Sequence, residues 1–364
     1  MFAPHDHALM AHALRLAAHG LATTRPNPRV GCVIARGDAI VGEGWHRRAG
    51  EPHAEVLALQ AAGADARGAT AYVTLEPCGL HGRTPPCADA LVDAGVARVV
   101  IAAEDAAQRG GGGLERLRAA GIAVETGLMR DAARELNRGF FARVERNRPW
   151  LRLKLAMSLD GRTALAGGES KWITGEAART DVQRWRARSC ALLTGSGTVL
   201  ADDPRLTVRL DDAPADAVGP LRVVLDSDLR TPRGAHVLDG CAPTLVLHAP
   251  GMRARDDRFA AVELAALERA GSGLDLGAAL ALLAARGMNE VQVEAGPTLG
   301  GALFAAGLVD ELLLYVAPVL LGDDARALLA LPPLACMADR ARLRVHEQRM
   351  VGDDIRLLLR PAAD

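Results

Sequence analysis

Lysine is almost missing from this sequence. Of 43 basic residues only two, Lys154 and Lys171, are lysines, and arginine carries the rest. A lysine kept in such a chain is a candidate for work that a guanidinium cannot do, because a compact ammonium and a planar fork are not interchangeable. The rival explanation is that both are ordinary surface residues. Aromatic residues are also scarce, at 3%, and the net charge is −1 with histidine neutral. With no basic run in the chain, neither the charge-driven nor the stacking-driven footprint of nucleic-acid binding is present. The longest apolar stretches, such as Glu311 to Leu321, fall short of the roughly 20 residues of a membrane span. The start, Met1-Phe-Ala-Pro-His-Asp-His, has no basic segment followed by an apolar one, so no secretion signal is expected. Six cysteines are too few for a disulfide scaffold in 364 residues. A reducing, cytoplasmic setting is expected, and clustered cysteines read as metal or redox chemistry.

What is abundant is apolar. Hydrophobic residues make up 49% of the chain, enough for ordinary cores, and the length predicts two domains. The first third alternates helix and strand. Helices are predicted over 7–21, 52–62, 86–94 and 114–120, and strands over 30–35, 38–44, 69–75, 99–102 and 122–126. This is an α/β sandwich with a mainly parallel sheet. A charged amphipathic helix over 131–147 reads as a connector, which puts the domain boundary at 147/148. The second domain alternates again, with strands over 150–156, 190–194, 221–226, 243–248, 290–294 and 311–317. Its helices are predicted near 175–189, 277–287 and 298–307, and 211–219 is a polar loop.

The densest chemistry lies in His53-Ala-Glu55, Pro77-Cys78 and Cys87. One histidine and two thiolates supply three ligands to Zn²⁺ and leave the fourth tetrahedral position to water, as in a catalytic zinc site. His53 opens a predicted helix. Cys87 sits in the first turn of another, where the helix dipole favours a thiolate. Glu55 is free to hold the water and move its proton, and zinc brings the pKa of such a water to about 7. His-x-Glu followed by Pro-Cys-x-x-Cys marks zinc deaminases. Here eight residues, Gly79 to Pro86, separate the cysteines. A structural zinc site, a site closed by His81 as fourth ligand, and two unrelated buried thiols therefore remain alternatives on the residues alone.

The wider sequence narrows the choice. Pro26-Asn-Pro-Arg-Val-Gly-Cys-Val33, Gly44-Trp-His46, Gly50-Glu-Pro-His-Ala-Glu-Val56 and the run from Thr74 to Cys87 resemble the bifunctional pyrimidine deaminase/reductases of riboflavin biosynthesis. The long cysteine spacing is that family's own. The resemblance continues through Leu153 to Thr163, Ser170-Lys-Trp-Ile-Thr174, Thr198 to Pro204 and Val293 to Ala302, so it covers nearly the whole chain. It implies a cytidine-deaminase-like α/β/α domain over 1–147 and a dihydrofolate-reductase-like α/β domain over 148–364.

By that resemblance the first domain hydrolyses the 2-amino group of 2,5-diamino-6-(5-phosphoribosylamino)pyrimidin-4(3H)-one, with one Zn²⁺ per chain on His53, Cys78 and Cys87. Glu55 shuttles the proton, and Asn27 and His46 touch the pyrimidine. One departure concerns the family's Asp-Pro-Asn-Pro after the strand ending near Ala103. The chain reads Glu104-Asp105-Ala106-Ala107-Gln108, then Arg109 and four glycines, so the asparagine expected to help hold substrate is absent.

The second domain then reduces the ribosyl group of 5-amino-6-(5-phosphoribosylamino)uracil to ribityl with NADPH. It has no Gly-x-Gly-x-x-Gly after its first strand, which speaks against a Rossmann fold. Instead, a strand leads through Gly296 into a helix whose first turn holds Pro297 and Thr298, and free N–H groups there suit a phosphate. The resemblance places NADPH on Gly296, Pro297, Thr298, Leu299, Gly300, Gly301 and Ala302, together with Ala156, Trp172, Thr198, Asp202 and Ser227. It places the substrate on Ser170, Arg186, Leu206, Arg209 and Glu294. The two arginines suit a ribose 5-phosphate bidentately. Lys154 is read as the catalytic point charge near the ribose oxygens, paired with Glu294. The alternation of 150–155 sets Arg152 and Lys154 on one face and the leucines on the other. The substrate is a small molecule, no nucleic-acid or membrane partner is expected, and the family is compatible with a homo-oligomer.

Overall fold

The computed structural model describes residues 2–81, 85–108, 112–212 and 217–362. The spacer between the two cysteines, the glycine-rich stretch after Gln108 and the loop 211–219 thus lie partly outside the described residues. The chain forms two compact units, Met1–Asn147 and Arg148–Asp364. Among the described residues no helix is long and apolar enough to cross a membrane.

The first unit runs α1 (Pro4–Ala18), β1 (Gly31–Arg36), β2 (Ala39–Trp45), α2 (Ala54–Ala62), β3 (Thr70–Leu75), α3 (Cys87–Ala94), β4 (Arg98–Ala103), α4 (Gly113–Ala119), β5 (Ala123–Thr126), α5 (Arg130–Leu136) and α6 (Arg138–Arg146). The sheet order is β2-β1-β3-β4-β5. It is mixed rather than mainly parallel, since β1 runs antiparallel to both β2 and β3 while β3, β4 and β5 are parallel. Alternate side chains of β1 feed two cores, as a period of two requires. Val33 and Ala35 pack with Leu9, Met10, Phe140 and Phe141, whereas Cys32 and Ile34 pack with Ala54, Ala58, Leu91 and Leu117. Helix α2 lies against the backbone of β2, because a Cβ on Gly44 would stand 2.7 Å from the carbonyl oxygen of Ala54. That close approach delivers the start of α2, and with it His53 and Glu55, to the end of the sheet.

The predicted connector helix is two helices, and it belongs to the core of the first unit. The break falls at Asn137, which is 2% exposed. Its Oδ1 accepts from the Arg29 N–H and its Nδ2 donates to the Arg29 carbonyl, both at 2.8 Å. An asparagine that bonds a distant backbone in this way competes with helical continuation. Phe140 and Phe141 bury the apolar side of α6.

The second unit opens with β6 (Trp150–Ser158), β7 (Arg162–Ala164), α7 (Glu176–Ala187), β8 (Ala191–Gly195), α8 (Ser196–Asp202), β9 (Leu221–Leu225), β10 (Thr244–His248) and β11 (Glu263–Ala266). It continues through β12 (Arg269–Ala270), β13 (Gly273–Leu274), α9 (Leu276–Ala285), β14 (Glu290–Glu294), α10 (Pro297–Ala305), β15 (Glu311–Ala317), β16 (Arg326–Ala327), β17 (Leu343–Val351) and β18 (Asp354–Pro361). Its main sheet has the order β11-β10-β9-β8-β14-β6-β15-β18-β17. The strands are parallel from β11 to β15, and β18 and β17 close the edge antiparallel. Helix α8 and the β17–β18 hairpin were not expected from the sequence. On β6 the predicted alternation holds. Leu151, Leu153 and Leu155 enter the core that α9 and α10 cover, and Arg152 and Lys154 face the other way.

Candidate functional site

In the first unit, His53, Cys78 and Cys87 converge. His53 is the N-cap of α2, Cys78 follows the turn after β3, and Cys87 is the first residue of α3. One ligand atom from each lies within 4.8 Å of the others. His53 Nδ1 is 3.2 Å from Cys87 Sγ and 3.6 Å from Cys78 Sγ. The Cys87 N–H donates to Cys78 Sγ at 3.2 Å. Hydrogen bonds from Cys87 and from His53 hold the Cys78 thiol far below its usual pKa, at about 4, while the Cys87 thiol is pushed up by its bond to Cys78 and by burial. His81 is exposed and lies outside this group. One nitrogen and two sulfurs suit Zn²⁺ and leave a tetrahedral position over.

Glu55 is the second residue of α2 and is 3% exposed. Burial raises its carboxyl to about 7. Its Oε2 has no hydrogen-bond partner among the described residues. An unsatisfied buried carboxylate oxygen beside three metal ligands is what a water-handling group requires. His46 packs edge-on to His53 with ring centroids 5.1 Å apart. Burial lowers its pKa, which favours the neutral ring. Its Nδ1 is 3.2 Å from the Pro52 carbonyl and donates to it, which leaves Nε2 to accept from Asn27 Nδ2 at 3.0 Å. Asn27 and His46 therefore act as one hydrogen-bonded pair.

The stretch that lacks Asp-Pro-Asn-Pro is tied to the metal turn by residues the sequence did not single out. Glu76 accepts from the N–H groups of Asp105 (3.1 Å) and Leu114 (3.0 Å). Gln108 Oε1 accepts from the N–H of Gly79 at 2.7 Å, next to Cys78. Only the position of Glu76, beside Pro77-Cys78, could have suggested this role.

In the second unit a cleft of about 1500 Å³ opens at the carboxyl ends of β6, β8, β9 and β14. Lys154, Ala156, Ser170, Trp172, Arg186, Thr198, Asp202, Leu206, Arg209, Ser227, Glu294, Gly296, Pro297, Thr298, Leu299 and Ala302 all line it. Gly300 and Gly301 do not. The Gly300 N–H already donates to the Gly296 carbonyl at 3.1 Å, and a Cβ on Gly301 would stand 2.2 Å from the Ala330 carbonyl oxygen. These two glycines let α10 pack against its neighbours. The N–H groups that helix geometry leaves free at its start are those of Thr298 and Leu299. Gly296 is open, with nothing within 4 Å of a Cβ placed there, and its N–H donates to Thr198 Oγ1 at 3.3 Å. This bare helix start suits a pyrophosphate-bearing cofactor.

Two substrate residues differ from expectation. Leu206 lines the cleft but is 1% exposed, with its side chain in a core cluster and its backbone at φ 48°. Arg186 has no fork to spare for a phosphate. Its Nε and Nη2 donate to the two oxygens of Glu294, both at 2.7 Å, and Nη1 donates to the Thr207 carbonyl at 2.9 Å. Glu294 therefore pairs with Arg186, not with Lys154, although Glu294 and Lys154 are opposite in register on β14 and β6. Burial alone would raise the Glu294 carboxyl, but Arg186 and Lys154 hold it at about 2. Burial lowers the pKa of Lys154 against the pull of Glu294. Arg209, whose cation is disfavoured by burial and by Arg186 and Arg205, lines the cleft as a positive group suited to an anion. Trp172 is 71% exposed beside the cleft, with Arg179 stacked 4.7 Å from its ring.

Comparison with known proteins finds a separate family match within each unit. Residues 4–103 match the cytidine and deoxycytidylate deaminase zinc-binding region, and residues 149–357 match the RibD C-terminal domain. The chain is 49% identical to the riboflavin biosynthesis protein RibD of Escherichia coli K12, over 97% of this chain and 99% of that protein. It is 47% identical to RibD of Haemophilus influenzae, over 99% and 98% of the two chains. Its structure superposes on Acinetobacter baumannii RibD with a TM-score of 0.92 at 45% identity, covering 99% of each chain. A diaminohydroxyphosphoribosylaminopyrimidine deaminase/5-amino-6-(5-phosphoribosylamino)uracil reductase from Thermotoga maritima gives a TM-score of 0.85 at 30% identity, covering 98% of this chain and 99% of that one. The chain belongs to the RibD family of riboflavin biosynthesis, bifunctional enzymes that join a zinc-dependent, cytidine-deaminase-like domain to an NADPH-dependent reductase domain of the dihydrofolate-reductase type.

Proposed function

We propose that the unit Met1–Asn147 deaminates 2,5-diamino-6-(5-phosphoribosylamino)pyrimidin-4(3H)-one, and that the unit Arg148–Asp364 reduces the ribosyl group of the product to ribityl. The observation that carries this reading is the partnerless Glu55 oxygen beside His53, Cys78 and Cys87. Zinc, when held by those three side chains, supplies a water acidic enough to attack at neutral pH. Glu55 Oε2 takes the proton of the attacking water and delivers it to the departing amine. Burial raises the Glu55 carboxyl above the ordinary carboxylate range, which favours its taking up a proton. Asn27, held by His46, keeps one N–H and its carbonyl oxygen for the pyrimidine edge. The lowered pKa favours a neutral His46, which avoids a second cation beside the metal ligands.

In the second unit the N–H groups of Thr298 and Leu299 and the side chains of Thr198, Asp202, Ser227 and Trp172, with Ala156, hold NADPH, which supplies a hydride when bound. Lys154 places its ammonium at the ribose oxygens and stabilises negative charge as the sugar opens. Arg209 takes the 5-phosphate in the cleft, and Ser170 and the Leu206 backbone complete the substrate side. Arg186 acts through Glu294, whose carboxylate it orients.

The enzyme is proposed to work in the cytoplasm, as the cysteine usage suggests, with no nucleic-acid or membrane partner. Self-association is proposed through the sheet edge formed by β17, where Val345 and Met350 are 61% and 63% exposed. Sedimentation of the purified chain as a monomer would remove that part. The main test is to follow ammonia release and NADPH oxidation on the diaminopyrimidine substrate. Both are expected, in that order, and NADPH oxidation without prior ammonia release would overturn the assignment.

A further inference from the structure

The polar side chains of β14 form a row on one face of the sheet. Glu290, Gln292 and Glu294 alternate with Val291 and Val293, which point into the opposite core. By register, Gln292 lies opposite Arg152 of β6, and Glu294 lies opposite Lys154. On the other side, β8 sets only the apolar Leu192 beside Gln292. A neutral amide thus separates two charged groups. One is Arg152, which donates to Glu290 at 3.1 Å and to Glu311 at 2.8 Å. The other is Glu294 with Arg186 and Lys154.

Gln292 is fully buried. Its Nε2 donates to Glu294 Oε1 at 2.9 Å, and its Oε1 has no hydrogen-bond partner among the described residues. A buried amide with an unpaired oxygen is costlier than an apolar side chain of similar size, so packing alone does not account for it. Its orientation follows from charge. The guanidinium of Arg152 on one side favours the carbonyl end of the amide dipole, and the carboxylate on the other favours the NH₂ end.

The result is an asymmetric carboxylate. Among the described residues, Glu294 Oε1 accepts twice, from Arg186 Nε and Gln292 Nε2, whereas Oε2 accepts only from Arg186 Nη2. A carboxylate oxygen can take two donors. Oε2 is therefore the oxygen with room for a donor from the cleft. We infer that Gln292 is a positioning residue of the reductase, which saturates one oxygen of Glu294 and so presents the other to a hydroxyl of the ribosyl substrate. The inference deepens the reading proposed above and rests on Glu294 facing the substrate.

The test uses the full-length, zinc-loaded enzyme and compares Gln292→Leu, Gln292→Glu and Glu294→Gln. Gln292→Leu keeps the volume and removes the donor. It is expected to raise the KM for 5-amino-6-(5-phosphoribosylamino)uracil about tenfold, with the KM for NADPH and the deaminase rate unchanged. Gln292→Glu adds a further carboxylate to Glu290, Glu294 and Glu311, beside the cations Arg152, Lys154 and Arg186. Its reductase activity is expected to recover toward acid pH, where the new carboxyl carries a proton and donates as the amide does. A purely structural role would show no such acid recovery. If Gln292→Leu does not fold, Gln292→Met carries the same comparison. Unchanged substrate KM in Gln292→Leu, or equal losses in both variants without acid recovery, would overturn the inference and leave the proposed site standing. Unchanged substrate KM in Glu294→Gln would instead overturn the site and the inference together.

Discussion

Two buried glutamates, one in each unit, answer to burial in opposite ways. Glu55 is raised to about 7 and keeps an oxygen without a partner, while Glu294 is held near 2 by two bonds from Arg186 and one from Gln292. Desolvation pushes both carboxyls up. The difference is the company. Glu55 sits among a histidine and two thiols, and among the described residues no guanidinium bonds to it. Glu294 is clamped by one and has a lysine opposite. A carboxylate left short of donors can exchange protons near neutrality, and one held ionised by fixed cations can only orient. The first unit is built for proton transfer, and the second for holding a substrate while a cofactor does the chemistry.

The sharpest way to break that contrast is at Glu55. Glu55→Gln should lower deamination about a thousandfold, retain about one zinc per chain by elemental analysis, and leave NADPH oxidation of the deaminated substrate untouched. Normal turnover in that variant would end its role as proton carrier. Cys78→Ser, Cys87→Ser and His53→Ala should lose deamination together with the metal, again without loss of reductase activity. A folded His53→Ala protein that had lost both activities would show that the two sites are not independent.

Next in size is Lys154→Met, which keeps the stem and removes the charge. Reductase turnover should fall about a hundredfold, with NADPH binding, followed by fluorescence titration, close to that of the parent. Near-normal turnover would remove Lys154 from the reaction. A smaller effect separates the glutamates by stability. A carboxyl held at about 2 when folded, against an ordinary 4.5, stabilises the fold above its unfolded value and loses that contribution as the pH falls toward 2. The amount is on the order of 3 kcal/mol. Glu294→Gln should therefore flatten the acid limb of the second unit's unfolding curve between about pH 4.5 and 2, and an unchanged limb would contradict the clamp. The smallest effect is expected at Gly301→Ala. The added methyl meets the Ala330 carbonyl, and overpacking of this kind costs about 1–3 kcal/mol. The loss should appear as a lower melting temperature of the second unit rather than as weaker NADPH binding. Weaker binding at unchanged stability would return Gly301 to the cofactor site.

Local chemistry was legible where one short segment does the work. His53, Cys78 and Cys87 stand out as residue types, their spacing left alternatives that the family resemblance narrowed, and two of the three sit at helix starts that Pro52 and Pro86 announce. The strand alternation of 150–155 was equally direct. What escaped was set by distant partners. Asn137 looks like any polar residue on an amphipathic helix until Arg29 is beside it. Arg186 looks like a phosphate ligand until Glu294 takes its fork. Gly300 and Gly301 share a motif with Gly296, yet only Gly296 is open to the cleft. The β17–β18 hairpin did carry a signal, the Gly352-Asp353 turn between two strand-like runs, but β17 is exposed along most of its length and so lacks the clean apolar alternation of a core strand.

The hinge of α5 and α6 at Asn137 bears on where this chain can be cut. The segment that matches the deaminase zinc region ends at residue 103, and a fragment truncated there would keep every proposed metal ligand. It would also discard the amide that satisfies both backbone groups of Arg29, and the Leu136 carbonyl that accepts from the Arg29 guanidinium at 2.7 Å. Arg29 stands two residues from Asn27, the residue proposed to meet the pyrimidine. A minimal deaminase therefore has to carry its last two helices as an external brace for its first loop. Its safe terminus is Asn147, where the left-handed backbone at φ 52° ends the brace.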